Sequence, residues 1–124
     1  MKASKLRTIE ITQGNDFQLI LARHKDKETG TPVDLSGVTA LLMDVREGTS
    51  MKSTLVESFT IGGGASIETD SETGVADTFK FFKSGINWPA GILHYDIFVI
   101  DANGIAETWY KGEIIVRKSI TALP

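Results

Sequence analysis

The clearest pattern along the chain is the alternation of side-chain types between residues 93 and 100. Every second residue from Leu93 to Val99 is large and apolar, and the positions between them are mixed in character. A period of two is the period of a β-strand that has one face on a core. Asn103 and Gly104 follow, and both tolerate the positive φ that a two-residue type I′ turn requires. We therefore predict that this strand folds back on residues 105–116 as an antiparallel hairpin.

With Asn103 and Gly104 at the centre of the turn, counting along both strands fixes the cross-strand pairs and sorts the side chains into two faces. The predicted pairs are Val99 with Thr108, Phe98 with Trp109, Ile97 with Tyr110 and Asp96 with Lys111. The inner face would hold Leu93, Tyr95, Ile97, Val99, Thr108, Tyr110 and Ile114. The outer face would hold His94, Asp96, Phe98, Glu107, Trp109, Lys111 and Glu113.

Shorter segments elsewhere repeat this pattern between clusters of turn residues. Residues 6–12 and 17–23, separated by the cluster 13–16, predict an opening hairpin. Residues 38–46 predict a strand in the centre of a sheet, and residues 55–61 and 75–82 predict two more strands. The charged tract 24–31 and the aperiodic tract 47–53 predict surface loops, and no window has the apolar spacing of a helix. About eight short strands predict a single all-β domain over residues 1–124, a sandwich or a barrel.

Composition narrows the classes of function. The 124 residues include no cysteine, which excludes disulfides and cysteine-based metal sites. Thirteen Lys and Arg against 16 Asp and Glu give a net charge of -3 with the signs interspersed, so we expect no nucleic-acid partner. Residues 1–16 lack the apolar run of a signal peptide, and no stretch is long enough for a membrane span. We therefore expect no membrane partner and a chain that is made in a cytoplasm and not secreted.

Residue types that carry chemistry are present but form no motif. His24, in the charged tract, and His94, on the outer face, have no partners at a ligand spacing, so we interpret both as surface histidines. The acidic turns lack the pattern of a calcium loop, and the glycines 62–64 lack the lysine and helix of a phosphate loop. We predict no enzyme activity, no catalytic residues, no metal and no cofactor. The sequence leaves one enzymatic alternative open, a hydrolase whose two catalytic carboxylates are far apart in sequence and come together only in the folded chain.

The outer face of the predicted hairpin carries an unusual amount of apolar surface. Phe98 and Trp109 lie beside Ile100 and Ile115, and exposed aromatic residues in one patch suggest a protein contact. If this interpretation holds, Trp109→Ala would leave the monomer folded and weaken assembly. The alternative is that loop 24–31 or loop 47–53 covers the patch within the monomer.

Three motifs, in order along the chain, resemble one family of viral proteins. They are Gln13-Gly14-Asn15-Asp16, Asp34-Leu35-Ser36-Gly37, and Pro89-Ala90-Gly91 followed by Tyr95-Asp96-Ile97. They resemble the QGD-like turn, the DLSG connection and the PAG to YDI strand of the immunoglobulin-like N-terminal domain of phage baseplate upper proteins and of related small phage tail modules. Baseplate upper proteins continue from this domain into a stalk that carries receptor-binding subunits, whereas the sequence here ends at Pro124. For this chain we therefore expect a freestanding adaptor, a decoration subunit or a fibre-anchoring subunit at least as much as a carrier.

This resemblance implies an immunoglobulin-like antiparallel β-sandwich of about seven or eight strands that acts as a structural virion protein in a tailed phage or prophage. It would be assembled in the host cytoplasm, as a homo-oligomer in a symmetric particle, and its partners would be other virion proteins. The interface residues we predict are Phe98, Ile100, Trp109 and Lys111, with loops 25–31 and 47–53 as secondary candidates. The alternatives are a capsid decoration protein, or a carbohydrate-binding or host-receptor-binding module in which Trp88, Trp109 or Tyr110 stacks on sugar rings.

Overall fold

The computed structural model describes residues 3–120, and every regular element in that range is a β-strand. The strands are β1 (Ser4–Lys5), β2 (Ile9–Thr12), β3 (Phe17–Leu21), β4 (Ala40–Arg46), β5 (Leu55–Ile61), β6 (Gly64–Glu68), β7 (Thr78–Lys83), β8 (Gly91–Ile100) and β9 (Ala106–Arg117). The all-β prediction is confirmed, with one strand more than the count of about eight. Nothing helical in the described range is long and apolar enough to cross a membrane.

The strands form two groups around one core. In the front sheet β9, β8, β4 and β5 lie side by side, and both β1 and β2 pair with the outer edge of β9. In the back sheet β6, β7 and β3 lie side by side. The end of β5 pairs in parallel with the start of β6 through Thr60 and Ile61, so β5 carries the chain from the front sheet to the back sheet. This distribution of strands is that of an immunoglobulin-like sandwich, which confirms the predicted fold.

Aromatic side chains fill the centre of the core. Trp88 lies 5.1 Å from Phe17 and 6.4 Å from Phe59, and Phe59 in turn lies 6.1 Å from Phe81, measured between ring centroids. Each of these rings is at most 2% exposed. β4 and β8 supply aliphatic residues from the facing sheet, because their alternate side chains are buried as the period of two predicts. The prediction that residues 38–46 form a central strand is confirmed for β4, which lies between β8 and β5.

The turn between β8 and β9 differs from the predicted type I′ turn. Gly104 has φ 79°, but Asn103 does not have a positive φ. The carboxylate of Asp101 accepts hydrogen bonds from the backbone N–H groups of Asn103 (2.9 Å) and Ile105 (3.0 Å). This side-chain cap stabilises a longer loop. Ile100 therefore faces Ala106, and the predicted pairs of Val99 with Thr108 and Phe98 with Trp109 are wrong by one residue.

A β-bulge corrects this offset further down the hairpin. Phe98 faces Thr108 and Ile97 faces Tyr110, so Trp109 is the extra residue of β9. Below the bulge the predicted pairs of Ile97 with Tyr110 and Asp96 with Lys111 are confirmed. A bulge interrupts the alternation of faces. Thr108 accordingly lines the outer surface, whereas the prediction placed it on the core face.

The predicted opening hairpin does not form. β2 pairs in parallel with β9 in the front sheet, while β3 pairs with β7 in the back sheet. Residues 13–16 therefore carry the chain from one sheet to the other. Hydrogen bonds hold this crossing in place, from Gly14 N to Ile86 O (2.7 Å) and from Ile86 N to Asn15 O (3.0 Å). Residues 6–23 thus have the local pattern of a hairpin, but pairing with the distant strands β9 and β7 places β2 and β3 in different sheets.

Candidate functional site

A groove of about 690 Å³ lies on the outer face of the front sheet. Its floor is made by outward side chains of the three adjacent strands β4, β8 and β9, and residues 48–51 form one wall. Lys5 of β1 lines the opposite side, where β1 pairs with Tyr110 and Lys111 of β9. The alternation of each strand produces this floor, since the residues between these positions are buried in the core.

The upper part of the floor is apolar. Leu42 and Phe98 face each other across β4 and β8, and both are half-buried. Thr108 faces Phe98 from β9 on the other side. Ala40 and Ile100 form the next pair toward the hairpin loop. An aromatic residue therefore lies at the centre of a small apolar patch that reaches across three strands.

The lower part of the floor is charged, with both signs present. Lys5, Arg46 and Lys111 supply the cations, and Asp44, Asp96 and Glu113 supply the carboxylates. Some of these groups already pair within the chain. Asp44 accepts a hydrogen bond from the hydroxyl of Ser58 (2.7 Å) and lies 3.4 Å from the guanidinium of Arg46, and His94 Nδ1 lies 3.9 Å from Glu113 Oε2. His94 thus lies on the outer face, as predicted, half-buried in the groove beside Glu113.

Asp44 and Asp96 face each other across β4 and β8. Burial raises the pKa of the Asp96 carboxyl above its usual range and the charge of Asp44 raises it further, while Arg46 acts in the opposite direction. Two facing carboxylates, one with a raised pKa, are the feature that the hydrolase alternative would use. The sequence analysis did not single out this pair, although both residues occupy outward positions of adjacent strands.

The wall formed by residues 48–51 is fixed by polar contacts. Arg46 Nη1 donates a hydrogen bond to the carbonyl oxygen of Ser53 (2.9 Å), and Glu47 N donates to Thr54 O (3.0 Å). The two ends of the loop approach each other closely at Gly48. A side chain there would clash, since a Cβ on Gly48 would lie 2.5 Å from Ser53 Oγ. Met51, which also lines the groove, is 89% exposed. Residues of the predicted secondary interface loop 47–53 thus line the same groove as Phe98.

The four predicted interface residues do not lie together. Phe98 and Lys111 line the groove, and Ile100 lies on the same face as Phe98, two residues further along β8. Trp109 points to the other side of the sheet, because it is the extra residue of the bulge. Its ring lies 5.8 Å from Phe79, which belongs to the back sheet and is fully buried. The prediction that Trp109 shares the outer face with Phe98 is therefore wrong.

The chain was compared with protein families, curated proteins and solved structures. No protein-family model and no curated protein matches it. Among solved structures it is similar to the fibronectin(III)-like modules of Clostridium thermocellum CbhA, with 9% sequence identity over 96% of this chain and 93% of that chain and a TM-score of 0.43. So distant a likeness says nothing about function.

A second polar cluster lies at the edge between the sheets. His24 is half-buried, and its ring lies 4.7 Å from Phe79, 5.8 Å from Tyr110 and 6.1 Å from Trp109. Its two ring nitrogens contact the carbonyl oxygen of Asp77 (2.8 Å) and the hydroxyl of Tyr110 (2.7 Å). The interpretation of His24 as a surface residue is therefore wrong. The apolar neighbours belong to distant parts of the chain, and the charged tract around His24 hid them.

The hydrogen bonds fix the protonation pattern of neutral His24. A carbonyl oxygen only accepts, so Nδ1 carries the proton and donates it to Asp77 O. Nε2 then accepts a hydrogen bond from the hydroxyl of Tyr110. The carboxylate of Asp77 is itself buried and accepts hydrogen bonds from the hydroxyls of Thr73 (2.9 Å) and Thr78 (3.2 Å). Burial lowers the pKa of His24 below its ordinary value of 6.5, opposed by the hydrogen bond to Asp77.

This environment predicts a pH-dependent stability. In the unfolded chain His24 binds a proton near pH 6.5, whereas in the folded chain its pKa is lower. The contribution of neutral His24 to the free energy of unfolding is therefore complete above pH 6.5 and is lost as the pH falls through the lowered pKa. Thermal unfolding between pH 7.5 and pH 5.5, which lies above the usual carboxyl range, should show this loss. In His24→Asn, whose amide can still donate to Asp77 O, the loss over this range should be smaller. In His94→Asn it should persist, and an equally steep decline in His24→Asn would contradict the assignment.

Proposed function

We propose that this chain is a structural protein of a tailed bacteriophage or prophage particle that docks onto another virion protein through the groove on its front sheet. The observation that carries the proposal is the paired Leu42 and Phe98 on the groove floor, an apolar patch bordered on one side by charged residues. Protein interfaces combine an apolar, often aromatic centre with a polar rim. Met51 adds a flexible apolar side chain at 89% exposure, a residue type that is enriched at interfaces.

The phage setting is supported by the sequence motifs alone. Two of them act as connections in the fold. Residues 13–16 cross between the sheets, and Asp34 Oδ1 accepts a hydrogen bond from Ser36 N (2.9 Å) in the connection that precedes β4. The third leads into β8, whose outward residues form much of the groove floor. A docking role also suits the small size of the patch, because modest contacts add up when many copies share one symmetric particle.

The geometry favours protein docking over carbohydrate binding. Sugar rings stack on exposed aromatic faces, and Trp88 is only 2% exposed in the core. Trp109 packs on Phe79, and the hydroxyl of Tyr110 donates to His24. The aromatic residues named for sugar stacking are therefore engaged within the chain. A glycan array probed with the isolated protein should give no hits, and binding that depends on Phe98 would favour the carbohydrate alternative.

The location of the protein is the first test. Particles released by a strain that encodes the chain are purified on a density gradient and probed with an antibody against it. We expect the chain to sediment with the particles in a constant ratio to the major structural proteins. If it stays in the soluble fraction while intact particles form, the virion role is wrong.

The groove is tested by Phe98→Lys, introduced on a plasmid that competes with the wild-type chain for incorporation. A charge at the centre of the apolar patch should lower incorporation about tenfold or more, the effect of losing an interface hot spot. Ile61→Lys is the matched control, because Ile61 is 49% exposed on β5 and lies outside the lining of the groove. Circular dichroism checks that both variants fold. Equal incorporation of the two variants would show that docking uses another surface.

A further inference from the structure

One edge of the back sheet is open. The strand order ends at β3, which pairs with β7 and with no other strand among residues 3–120. The segment that a sequence pattern would place against it, β2, pairs with β9 in the other sheet. The outward backbone groups of Phe17–Leu21 are thus left without a strand partner in the described fold. An unpaired strand edge is a template for pairing with another chain.

The β3 edge also lacks the usual protection against such pairing. Natural edge strands carry charges, prolines or bulges that block a partner. Four other strands that have an unpaired stretch each contain a charged residue, namely Lys5 in β1, Glu10 in β2, Glu57 in β5 and Glu68 in β6. The five residues of β3 contain no charge and no proline. Ile20, which points outward from this strand, is 47% exposed.

Next to the same edge the sandwich itself is open. A cavity of about 400 Å³ lies between β2 and β3, lined by the apolar Ile9, Ile11 and Phe17 and by polar residues that include Glu10 and Arg117. Ile9 and Ile11 from the front sheet, and Leu19 from β3, are only half-buried. A strand added beside β3 would extend the back sheet over β2 and present its inward side chains to these residues. Apolar side chains at the alternate inward positions of the added strand would pack on the half-buried Ile9, Ile11 and Leu19.

We infer that β3 pairs antiparallel with β3 of a second copy of this chain, about a two-fold axis at Leu19. Phe17 would then face Leu21 of the other copy and Gln18 would face its Ile20, so that inward residues meet inward residues and no charge falls within the paired stretch. At the ends of the paired stretch, Asp16 of each copy would stand one position away from Arg23 of the other. The guanidinium of Arg23 already pairs with Asp70 (3.3 Å) and Glu72 (3.1 Å), so the ends add no net attraction and the pairing rests on β3 itself.

The inferred dimer is small. Five residues from each copy bury less than a standard protein interface, so dimers form at high concentration and separate on dilution. The two back sheets would join into one six-stranded sheet across the axis. The pairing is a property of the isolated chain, and it holds or fails whether or not the groove docks onto a virion protein.

Sedimentation velocity of the purified protein over rising concentration tests the dimer. The wild-type chain should shift from monomer toward dimer, and Ile20→Lys should remain monomeric, because lysine on an edge strand blocks pairing. Ile105→Lys is the matched control, since Ile105 is 52% exposed in the β8–β9 loop, and it should dimerise like the wild type. A wild-type protein that stays monomeric at every concentration, or a dimer that Ile20→Lys leaves intact, would overturn the inference.

Cysteine cross-linking tests the register. The chain has no cysteine of its own, so single variants are clean probes. Gln18→Cys and Ile20→Cys copies, mixed and oxidised, should form a disulfide-linked dimer faster than either variant alone, because residues 18 and 20 face each other only across the axis. Directly opposed residues come within the Cβ separation that a disulfide needs, whereas diagonal ones do not. Equal rates in the mixture and in the single variants would refute pairing about Leu19.

Discussion

Replacing Trp88 with alanine should lower the free energy of unfolding by about 3–5 kcal/mol, the range for removing a fully buried tryptophan. The indole packs on Phe17 and Phe59, and its Nε1 donates a hydrogen bond to Glu57 Oε1 (3.2 Å). The substitution leaves a cavity where the two sheets meet. For a domain of this size the melting temperature should fall by roughly 10–25 °C. Urea denaturation followed by circular dichroism measures the change.

Trp88→Phe separates packing from hydrogen bonding in this effect. Phenylalanine keeps an aromatic ring beside Phe17 but cannot donate to Glu57, so its loss of stability should be clearly smaller than that of the alanine variant. Glu57 keeps a partner in both variants, because Lys83 Nζ lies 3.8 Å from its carboxylate. An alanine variant within about 1 kcal/mol of the wild type would contradict the central position of this ring.

The sequence did not predict that the side chain of Trp88 is buried. Trp88 lies at a corner where Pro89 and Gly91, which has φ 127°, redirect the chain into β8. Trp88 was named only as a candidate for sugar stacking, a role that needs an exposed ring. The usable signal was the spacing of Ile86 and Trp88. These two large apolar residues are separated by one residue, and both are buried while Asn87 between them is exposed. A loop that alternates in this way packs as a strand does.

Alternation predicted the faces of β4 and β8 because each strand is regular and lies between two others. It failed on β9, where the sequence Thr108, Trp109, Tyr110 contains neither glycine nor proline to mark a bulge. The bulge follows from the loop instead. The carboxylate of Asp101 stabilises a loop that is one residue longer than the predicted turn, so β9 has one residue more than β8 between the loop and the core. The core pairs further down the hairpin keep their register because one residue, Trp109, is left out of the pairing.

Local sequence patterns could not predict which strand pairs with β2. Ile9 and Ile11 point inward as their alternation predicts, but the residues of β9 that they pair with, from Ile114 onward, are about a hundred residues away. A turn cluster such as residues 13–16 permits a hairpin and equally permits a crossing between sheets. The candidate site, too, could be predicted only where it depends on local alternation. Phe98 and Lys111 follow from the period of β8 and β9, whereas the wall built by residues 48–51 depends on the contact of Arg46 with Ser53.

Trp109→Ala provides the sharpest test of the bulge. On the sequence pattern alone the variant would fold normally, since Trp109 would be an outer-face residue. In the structure its half-buried ring packs on Phe79 and lies 6.1 Å from His24, so we expect a loss of about 2–3 kcal/mol, below the range for a fully buried tryptophan. The measurement is the free energy of unfolding in urea at pH 7.5, where His24 is neutral.

Phe98→Ala is the matched control for this prediction. Phe98 is also half-buried and precedes the bulge on the facing strand, but it lies on the outer side of the front sheet. Its removal exposes Leu42 without opening the core, so the loss should be about 1 kcal/mol or less. The bulge therefore predicts that Trp109 matters more for folding and Phe98 more for docking. A Trp109→Ala variant as stable as Phe98→Ala would return Trp109 to the outer face and invalidate the assignment of Thr108 to the groove.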